Sequence, residues 1–209
     1  MGDKCPRCGS KKTAEIIYGY PAFDEEFNQK LSSGEWVLGG CCIASVEVNG
    51  RSVNIMPSRR CFACKRDFGR EPILVTKKKD MAEDYRDIVR GIRFMIGGYF
   101  GGSTEVLIGK NDQGAQVSVS FYRSDELPVA DRQISETEWK KIVNKLYGKL
   151  YLHEWKKDFT DTNVLDGTQW ELGISLTGRR KRIYSGSNAY PPYWKELLRI
   201  FNAYATIKE

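Results

Sequence analysis

Two stretches decide how the first part of this chain folds: Cys5-Pro6-Arg7-Cys8-Gly9-Ser10 and Cys61-Phe62-Ala63-Cys64. In each stretch one tight turn aims two sulfur atoms at a common point, as a tetrahedral zinc site with Zn–S bonds of about 2.3 Å requires. In the first pair a proline presets the turn, and a glycine follows the second cysteine where positive φ is easiest. The predicted ligands of one structural Zn²⁺ ion are Cys5, Cys8, Cys61 and Cys64.

The segment between the pairs, residues 9–60, is roughly three times longer than the about 15–20 residues of compact zinc modules. Closing the longer loop costs only about 1 kcal/mol, whereas structural zinc contributes on the order of 10–16 kcal/mol. Lys65 stands where the first pair has Gly9, and a left-handed lysine there costs about 1–2 kcal/mol. A redox-active dithiol and buried structural thiols are the alternatives to a metal.

The composition is that of a folded protein, since 41% of the 209 residues are apolar and 29% are charged. Basic residues exceed acidic ones by six, which permits an anionic partner without requiring one. No apolar run approaches the about 20 residues that cross a bilayer, and no export signal is recognisable. We therefore expect a cytoplasmic protein without membrane contact, whose thiols stay reduced.

Cys41 and Cys42 follow Leu38-Gly39-Gly40 in an apolar stretch. This setting favours small buried hydrophobes. Neighbouring side chains of an extended segment point to opposite faces, so the two cysteines are poorly placed to chelate one ion. Replacement of one zinc ligand and a reactive thiol stay open as alternatives.

The first domain is expected to cover residues 1–75. Acidic residues at Asp24-Glu25-Glu26 and the helix-ending Gly34 predict a short inserted helix over residues 23–33. A strand is expected from Trp36 to Ile43, and Asn49-Gly50 predicts a hairpin within residues 45–55.

The second domain is expected to cover residues 80–209. Alternation at Ile92, Phe94 and Ile96, and again from Trp170 to Leu176, predicts antiparallel strands. Ser135 and Glu138 form a capping box before a helix, and Pro191-Pro192 precedes another. The fold class is therefore α+β: an N-terminal zinc ribbon with an inserted helix, followed by an antiparallel sheet covered by two helices.

Two glycine-bearing segments, residues 97–102 and 186–192, suggest a site for a small anionic or planar ligand. If both lie at one end of the sheet, the predicted lining residues are Tyr99, Phe100, Arg182, Asn188 and Tyr190. The alternatives are structural: the first segment is a hairpin bend, and Ser187 or Asn188 caps the last helix.

Basic residues mark a second candidate surface, for nucleic acid or a protein partner. Three lysines recur at helical spacing and an arginine cluster follows a predicted turn, and the candidate residues are Lys141, Lys145, Lys149, Arg179 and Arg180. Phosphate contact by such residues would be weakened by salt and would carry no sequence specificity. A solvated helix face is the alternative.

Several motifs resemble those of known families. Residues 1–70 resemble an elaborated member of the bacterial zinc-ribbon proteins, through Cys5-Pro6-Arg7-Cys8-Gly9, Tyr18-Gly19-Tyr20-Pro21, Gly39-Gly40-Cys41 and Cys61-Phe62-Ala63-Cys64. The remainder is similar to uncharacterised domains of bacterial and phage proteins, through Leu165-Asp166-Gly167-Thr168-Gln169-Trp170 and Gly186-Ser187-Asn188-Ala189-Tyr190-Pro191. The first resemblance implies metal binding, and the second implies no activity.

These observations favour a non-enzymatic, zinc-stabilised binding or adaptor protein that contacts nucleic acid or a protein partner. The alternative is a small-ligand protein that binds or sequesters a nucleotide-like anion in the glycine-bearing loops. A hydrolase is the least supported class, because four thiolates leave zinc no site for water. In addition, the single histidine, His153, lies in an apolar setting.

Overall fold

The computed structural model describes residues 4–75, 82–98, 101–123, 129–164 and 166–207. They form two compact units. The first contains the described residues up to Asp84 together with Tyr151–Glu154, and the second contains Tyr85–Leu150 and the described residues from Trp155 onward. The chain mixes helices with several sheets, as predicted. The predicted domain boundary at residues 76–79 falls outside the described residues.

The first unit is built from short strands and one helix. Its elements are β1 (Thr13–Tyr18), α1 (Glu25–Ser32), β2 (Trp36–Gly40), β3 (Ser45–Val48), β4 (Arg51–Asn54), β5 (Arg59–Cys61), β6 (Asp67–Phe68), β7 (Ile73–Val75) and β8 (Ala82–Asp84). One sheet has the strand order β2-β1-β5-β6, and β3-β4 and β7-β8 are separate pairs. β2 runs parallel to β1, and α1 supplies the crossover that parallel strands need.

The predicted inserted helix and the predicted hairpin of the first unit are both present. Asp24 caps α1, because its carboxylate accepts a hydrogen bond from the backbone N–H of Phe27 at 2.8 Å. The hairpin between β3 and β4 turns at Asn49 and Gly50, which both have positive φ. The predicted strand over residues 36–43 is shorter than expected, since β2 ends at Gly40.

The second unit carries a seven-stranded sheet. Its elements are α2 (Tyr85–Ile88), β9 (Val89–Gly98), β10 (Gly102–Asn111), β11 (Gly114–Tyr122), β12 (Val129–Ser135), α3 (Glu136–Asn144), β13 (Asp158–Thr160), β14 (Thr168–Leu176), β15 (Lys181–Ser187) and α4 (Trp194–Phe201). The strand order is β12-β11-β10-β9-β14-β15-β13. All neighbours are antiparallel except β13 and β15.

One face of this sheet forms the core of the second unit. Alternate side chains of β9 and β14 are buried on it: Ile92, Phe94, Ile96, Trp170, Leu172 and Ile174. The helix α4 packs against them, since the rings of Phe94 and Phe201 stack with centroids 4.4 Å apart. Because side chains alternate along strands, the residues between these point to the opposite face.

The two predicted helices of the second unit are present, with different ends. Ser135 caps α3 by accepting a hydrogen bond from Glu138 N at 3.2 Å, as predicted. The helix then changes to one π-helical turn, Lys145–Lys149, which the sequence did not indicate. The predicted cap of the last helix by Ser187 or Asn188 is wrong, since Ser187 ends β15 and α4 begins only at Trp194. No helix of the described residues is long and apolar enough to cross a membrane.

Candidate metal centre and binding surfaces

The two cysteine pairs adopt the same turn. In the first pair the backbone N–H of Cys5 donates to Ser10 O at 2.9 Å, and in the second Cys61 N donates to Arg66 O at 2.9 Å. Both turns place a left-handed residue directly after the second cysteine. Gly9 has φ of 74° and Lys65 has φ of 60°, so the lysine adopts the conformation that its position demands.

Strand pairing brings the two turns together. The first cysteine turn precedes β1, and Thr13 at the start of β1 pairs with Cys61 at the end of β5. β5 and β6 are antiparallel and flank the second turn. The segment between the turns is therefore an insert that leaves the two cysteine pairs side by side.

The four sulfur atoms form one compact group. Cys5 Sγ lies 3.7 Å from Cys64 Sγ, and Cys8 Sγ lies 3.6 Å from Cys61 Sγ. All four lie within 4.8 Å of one another. Two bonds of about 2.3 Å that meet at the tetrahedral angle place their sulfurs about 3.8 Å apart. The donor set and its spacing thus fit a single tetrahedral, thiophilic metal ion such as Zn²⁺.

The four thiols differ in burial, and the pKa values of Cys5 and Cys61 are shifted in opposite directions. Cys5 and Cys61 are completely buried against Phe68, whereas Cys8 is exposed. Burial raises the pKa of the Cys5 thiol to about 12. Burial also acts to raise the pKa of Cys61, but hydrogen bonds with the backbone of Cys64, the Cys8 side chain and the backbone of Ala63 outweigh it and lower that pKa to about 7. A bound cation would favour the thiolate at every position.

The remaining two cysteines are not where the sequence predicted them. Cys41 and Cys42 are both exposed, so the prediction that they are buried hydrophobes is wrong. The chain leaves β2 at Gly40, which has φ of 93°, and does not continue as a strand. Their side chains consequently do not point apart, and the two Sγ atoms lie 3.9 Å from each other.

The lysines of the predicted basic surface are all exposed. Lys141 lies on α3, and Lys145 and Lys149 lie at the ends of the π-helical turn that continues it. Within the part of the chain that the structure describes, none of the three forms an ion pair. The neighbouring Lys140 differs, since its Nζ lies 3.5 Å from a carboxylate oxygen of Glu136.

The arginines of the cluster differ in their surroundings. Arg179 is exposed in the turn after β14, whereas Arg180 donates to the backbone carbonyl of Thr177 at 2.9 Å. On β15, Arg182 Nη2 donates to the hydroxyl of Tyr85 at 2.9 Å.

Tyr85 joins the arginine cluster to the lysine-bearing helix. Its ring stacks on that of Tyr147 in the π-helical turn, with centroids 5.1 Å apart and planes 9° apart. Arg182 lies over the same Tyr85 ring, 5.8 Å from its centroid. Burial raises the pKa of the Tyr147 hydroxyl, and the nearby charge of Arg182 acts in the opposite direction. Tyr85 therefore contacts both the π-helical turn and β15.

The glycine-bearing segments do share one end of the seven-stranded sheet. Gly98 of β9 pairs with Thr168 of β14, and the backbone N–H of Asn188 donates to Thr168 O at 2.9 Å. A cleft of about 260 Å³ opens at this end, lined by Met95, Gly97, Gly98, Gly102, Ser103, Tyr122, Arg123 and Gln169. Tyr99 and Phe100, which were predicted to line it, lie outside the described residues.

The other predicted ligand residues are not gathered there. Arg182 lies on β15, where it pairs with Ile174 of β14. It precedes Asn188 by six residues, which places the two residues about 20 Å apart along the strand direction. The ring of Tyr190 packs against Trp194 at 4.7 Å. The amide Nδ2 of Asn188 is buried without a hydrogen-bond partner among the described residues. The structure therefore brings Asn188 to the glycine-rich end but not Arg182.

A charged network beside the cleft was missed by sequence reasoning. Arg93 of β9 donates to Glu105 of β10 and to Glu171 of β14, each at 2.5 Å. Tyr122 donates to the second carboxylate oxygen of Glu105 at 3.2 Å. The Glu105 side chain is only 8% exposed. Alternation along β9 indicated that Arg93 faces away from the core, but the strand register that unites these residues had no local signal.

His153 plays no part in these groups. Its Nε2 atom lies 3.0 Å from the backbone carbonyl of Arg70, and its side chain is buried. The next residue, Glu154, accepts a hydrogen bond from the backbone N–H of Arg70 at 2.8 Å. Burial raises the pKa of that carboxyl group.

No family model, no curated protein and no solved structure matches this chain.

Proposed function

We propose that this chain is a non-enzymatic binding protein whose first unit is a zinc ribbon, with Cys5, Cys8, Cys61 and Cys64 binding one structural Zn²⁺ ion. The observation that carries the proposal is the convergence of four sulfurs from two identical turns, within 4.8 Å of one another. Thiolate donors in this number are typical of structural zinc, and they leave no coordination site for water or substrate.

Metal analysis tests the zinc site directly. Protein purified without chelators should contain one zinc ion per chain, and the double variant Cys8→Ser/Cys61→Ser should contain almost none. The double variant Cys41→Ser/Cys42→Ser is the matched control and should retain the full zinc content. Much less than one zinc ion per wild-type chain would overturn the assignment.

The second unit supplies the binding surface, and we assign it to the phosphates of nucleic acid. The supporting observation is that three exposed lysines lie along α3 and its π-helical turn, with no ion pair to any residue that the structure describes, and that Tyr85 contacts both Tyr147 of this turn and Arg182 of β15. A net charge of +6 favours association with a polyanion. Such contacts recognise the backbone and not the base sequence.

Charge reversal on this helix tests the surface. The triple variant Lys141→Glu/Lys145→Glu/Lys149→Glu should lose binding to a fluorescent 30-nucleotide DNA in anisotropy measurements. A plot of the logarithm of the binding constant against the logarithm of salt concentration has a negative slope. In the corresponding lysine-to-glutamine variant, the magnitude of this slope should fall by about 3, close to one for each phosphate contact removed. Both forms of DNA, single-stranded and double-stranded, should be used.

The matched control changes the charge equally at exposed lysines elsewhere on the second unit, Lys156, Lys157 and Lys195. Reversal of these three should weaken binding far less than reversal on α3 and its π-helical turn. Equal losses in the two variants would show that only net charge matters and would overturn the assigned surface. Wild-type protein that fails to bind DNA at low salt would overturn the nucleic-acid assignment.

A second candidate function is the binding of a small anion in the cleft at the glycine-rich end of the sheet. The observation that favours it is the cleft of about 260 Å³, in which Arg123 is the one cationic side chain among the described lining residues. In this case adenosine monophosphate should raise the melting temperature of the wild type but not of Arg123→Gln. Lys156→Gln is the control variant. An unchanged melting temperature with adenosine monophosphate, guanosine monophosphate and phosphate would exclude this function.

A further inference from the structure

Cys41 and Cys42 form an exposed pair of thiols outside the four-cysteine group. Their Sγ atoms lie 3.9 Å apart, and both side chains are solvent-exposed. The two residues follow the end of β2 at Gly40 and are not part of an extended strand, in which adjacent side chains would point to opposite faces. The two sulfur atoms are therefore close enough to bind one atom together.

Adjacency in sequence makes a disulfide an unfavourable use of this pair. Consecutive Cα atoms lie about 3.8 Å apart, whereas disulfide-bonded cysteines usually have Cα atoms 4.4–6.8 Å apart. A bond between Cys41 and Cys42 would be strained and readily reduced. The dithiol is thus the form available for binding.

The sulfur separation suits a ligand that bridges both atoms. With bonds of about 2.3 Å, a separation of 3.9 Å corresponds to an S–X–S angle of about 116°. A pyramidal centre such as trivalent arsenic has a smaller angle, so rotation of the two exposed side chains would bring the sulfurs slightly closer together. Soft centres prefer sulfur ligands. Two thiolates fill only half of the tetrahedral shell of zinc, but they complete the shell of a trivalent arsenical that already bears one organic group.

Exposed apolar residues flank the dithiol in the chain. Leu38 is 48% exposed and Ile43 is 61% exposed, on either side of the pair in sequence. Tyr20 is 91% exposed, and the backbone N–H of Gly19 beside it donates to Gly40 O at 3.0 Å. The pair thus lies in a stretch with exposed apolar residues, which suits an organic substituent on the bridging atom.

We propose that Cys41 and Cys42 are a binding site for soft, thiophilic centres that take two sulfur ligands, represented by monosubstituted trivalent arsenicals. In the reaction, an arsenical R–As=O and two S–H groups give a cyclic R–As(S)₂ adduct and one molecule of water. Two As–S bonds form, and the As=O bond and two S–H bonds break. Arsenic remains trivalent, so no oxidant or reductant is needed.

Titration of the zinc-loaded full chain with phenylarsine oxide tests the proposal. Intact-mass analysis should show one arsenical per wild-type chain, with the zinc content unchanged. A small dithiol should reverse the binding, whereas an equal concentration of a monothiol should not. In Cys41→Ser and Cys42→Ser, the apparent affinity should fall by about 10²–10⁴-fold, because the second bond is no longer intramolecular.

One control variant and two contrary outcomes keep the interpretation unambiguous. Ser45→Ala is a control that leaves both thiols in place and should bind the arsenical as the wild type does. Equal affinity of the wild type and the two single cysteine variants would overturn the proposal. Binding to the wild type only with loss of zinc would also overturn it, because the arsenical would then occupy the four-cysteine group. Neither result depends on whether the chain binds nucleic acid.

Discussion

At the scale of single residues, the two cysteine turns have the same backbone conformation at equivalent positions, but one position holds a residue that suits this conformation and the other does not. Gly9 and Lys65 occupy equivalent left-handed positions, with φ of 74° and 60°. Glycine adopts this conformation freely, whereas lysine is penalised by contacts of its Cβ atom. The second turn therefore carries strain that the flanking strands, and the metal ion that we propose, must offset.

Exchange of the two residue types should reveal this strain. Lys65→Gly should stabilise the first unit by about 0.5–1 kcal/mol, since the relief of about 1–2 kcal/mol is offset in part by the flexibility of unfolded glycine. Gly9→Ala, the matched change in the other turn, should destabilise by a similar amount. Native-state amide hydrogen exchange of the zinc-loaded chain measures both. A destabilising Lys65→Gly would contradict the equivalence of the turns.

At the scale of elements, the strands of the second unit align charged groups that are far apart in the sequence. Arg93 on β9 lies between Glu105 on β10 and Glu171 on β14. The guanidinium group is 41% exposed, but the Glu105 side chain is only 8% exposed. The buried carboxylate of Glu105 therefore depends on the ion pair more than the exposed guanidinium of Arg93 does.

This asymmetry predicts unequal costs of substitution. Arg93→Leu leaves Glu105 buried with only the Tyr122 hydroxyl, and should destabilise the second unit by about 3–5 kcal/mol. Glu105→Leu leaves an arginine that water and Glu171 still solvate, and should cost about 1–3 kcal/mol. Urea unfolding monitored by hydrogen exchange in β9 and β10 measures both losses.

A comparison of the two variants at one pH provides the check on this network. A Glu105→Leu variant that is less stable than Arg93→Leu at pH 7 would contradict the proposed dependence.

At the scale of the whole molecule, the features predictable from sequence are those that a few neighbouring residues determine. The cysteine turns, the cap at Asp24 and the Asn49-Gly50 hairpin each depend on a few adjacent side chains, and the structure contains all three. The exposure of Cys41 and Cys42 was mispredicted, because apolar composition was taken for burial while the turn at Gly40 had no strong signal.

Features that depend on strand pairing were not predictable in the same way. The parallel pairing of β1 with β2, and the register that unites Arg93 with two glutamates, arise from contacts between distant segments. So does the inclusion of Tyr151–Glu154 in the first unit. A single sequence contains no local pattern for such pairings, since the period of a strand indicates which face a residue occupies but not its neighbour.

The central claim is that one metal ion holds the first unit in its folded form. It rests on four sulfurs from two turns, and among the described residues the buried cluster that contains them is small: Cys5, Cys61 and Phe68, with Cys64 packed against it. Removal of the ion should therefore unfold the first unit while the second unit, which has its own apolar core, stays folded.

Hydrogen–deuterium exchange before and after chelation tests this claim most directly. In the full chain treated with a zinc chelator, amides of β1 and β5 should lose their protection, whereas amides of β9 and β14 should keep it. Restoring one equivalent of Zn²⁺ should restore the protection of β1 and β5. Protection of β1 and β5 that is unchanged in metal-free protein would contradict the account.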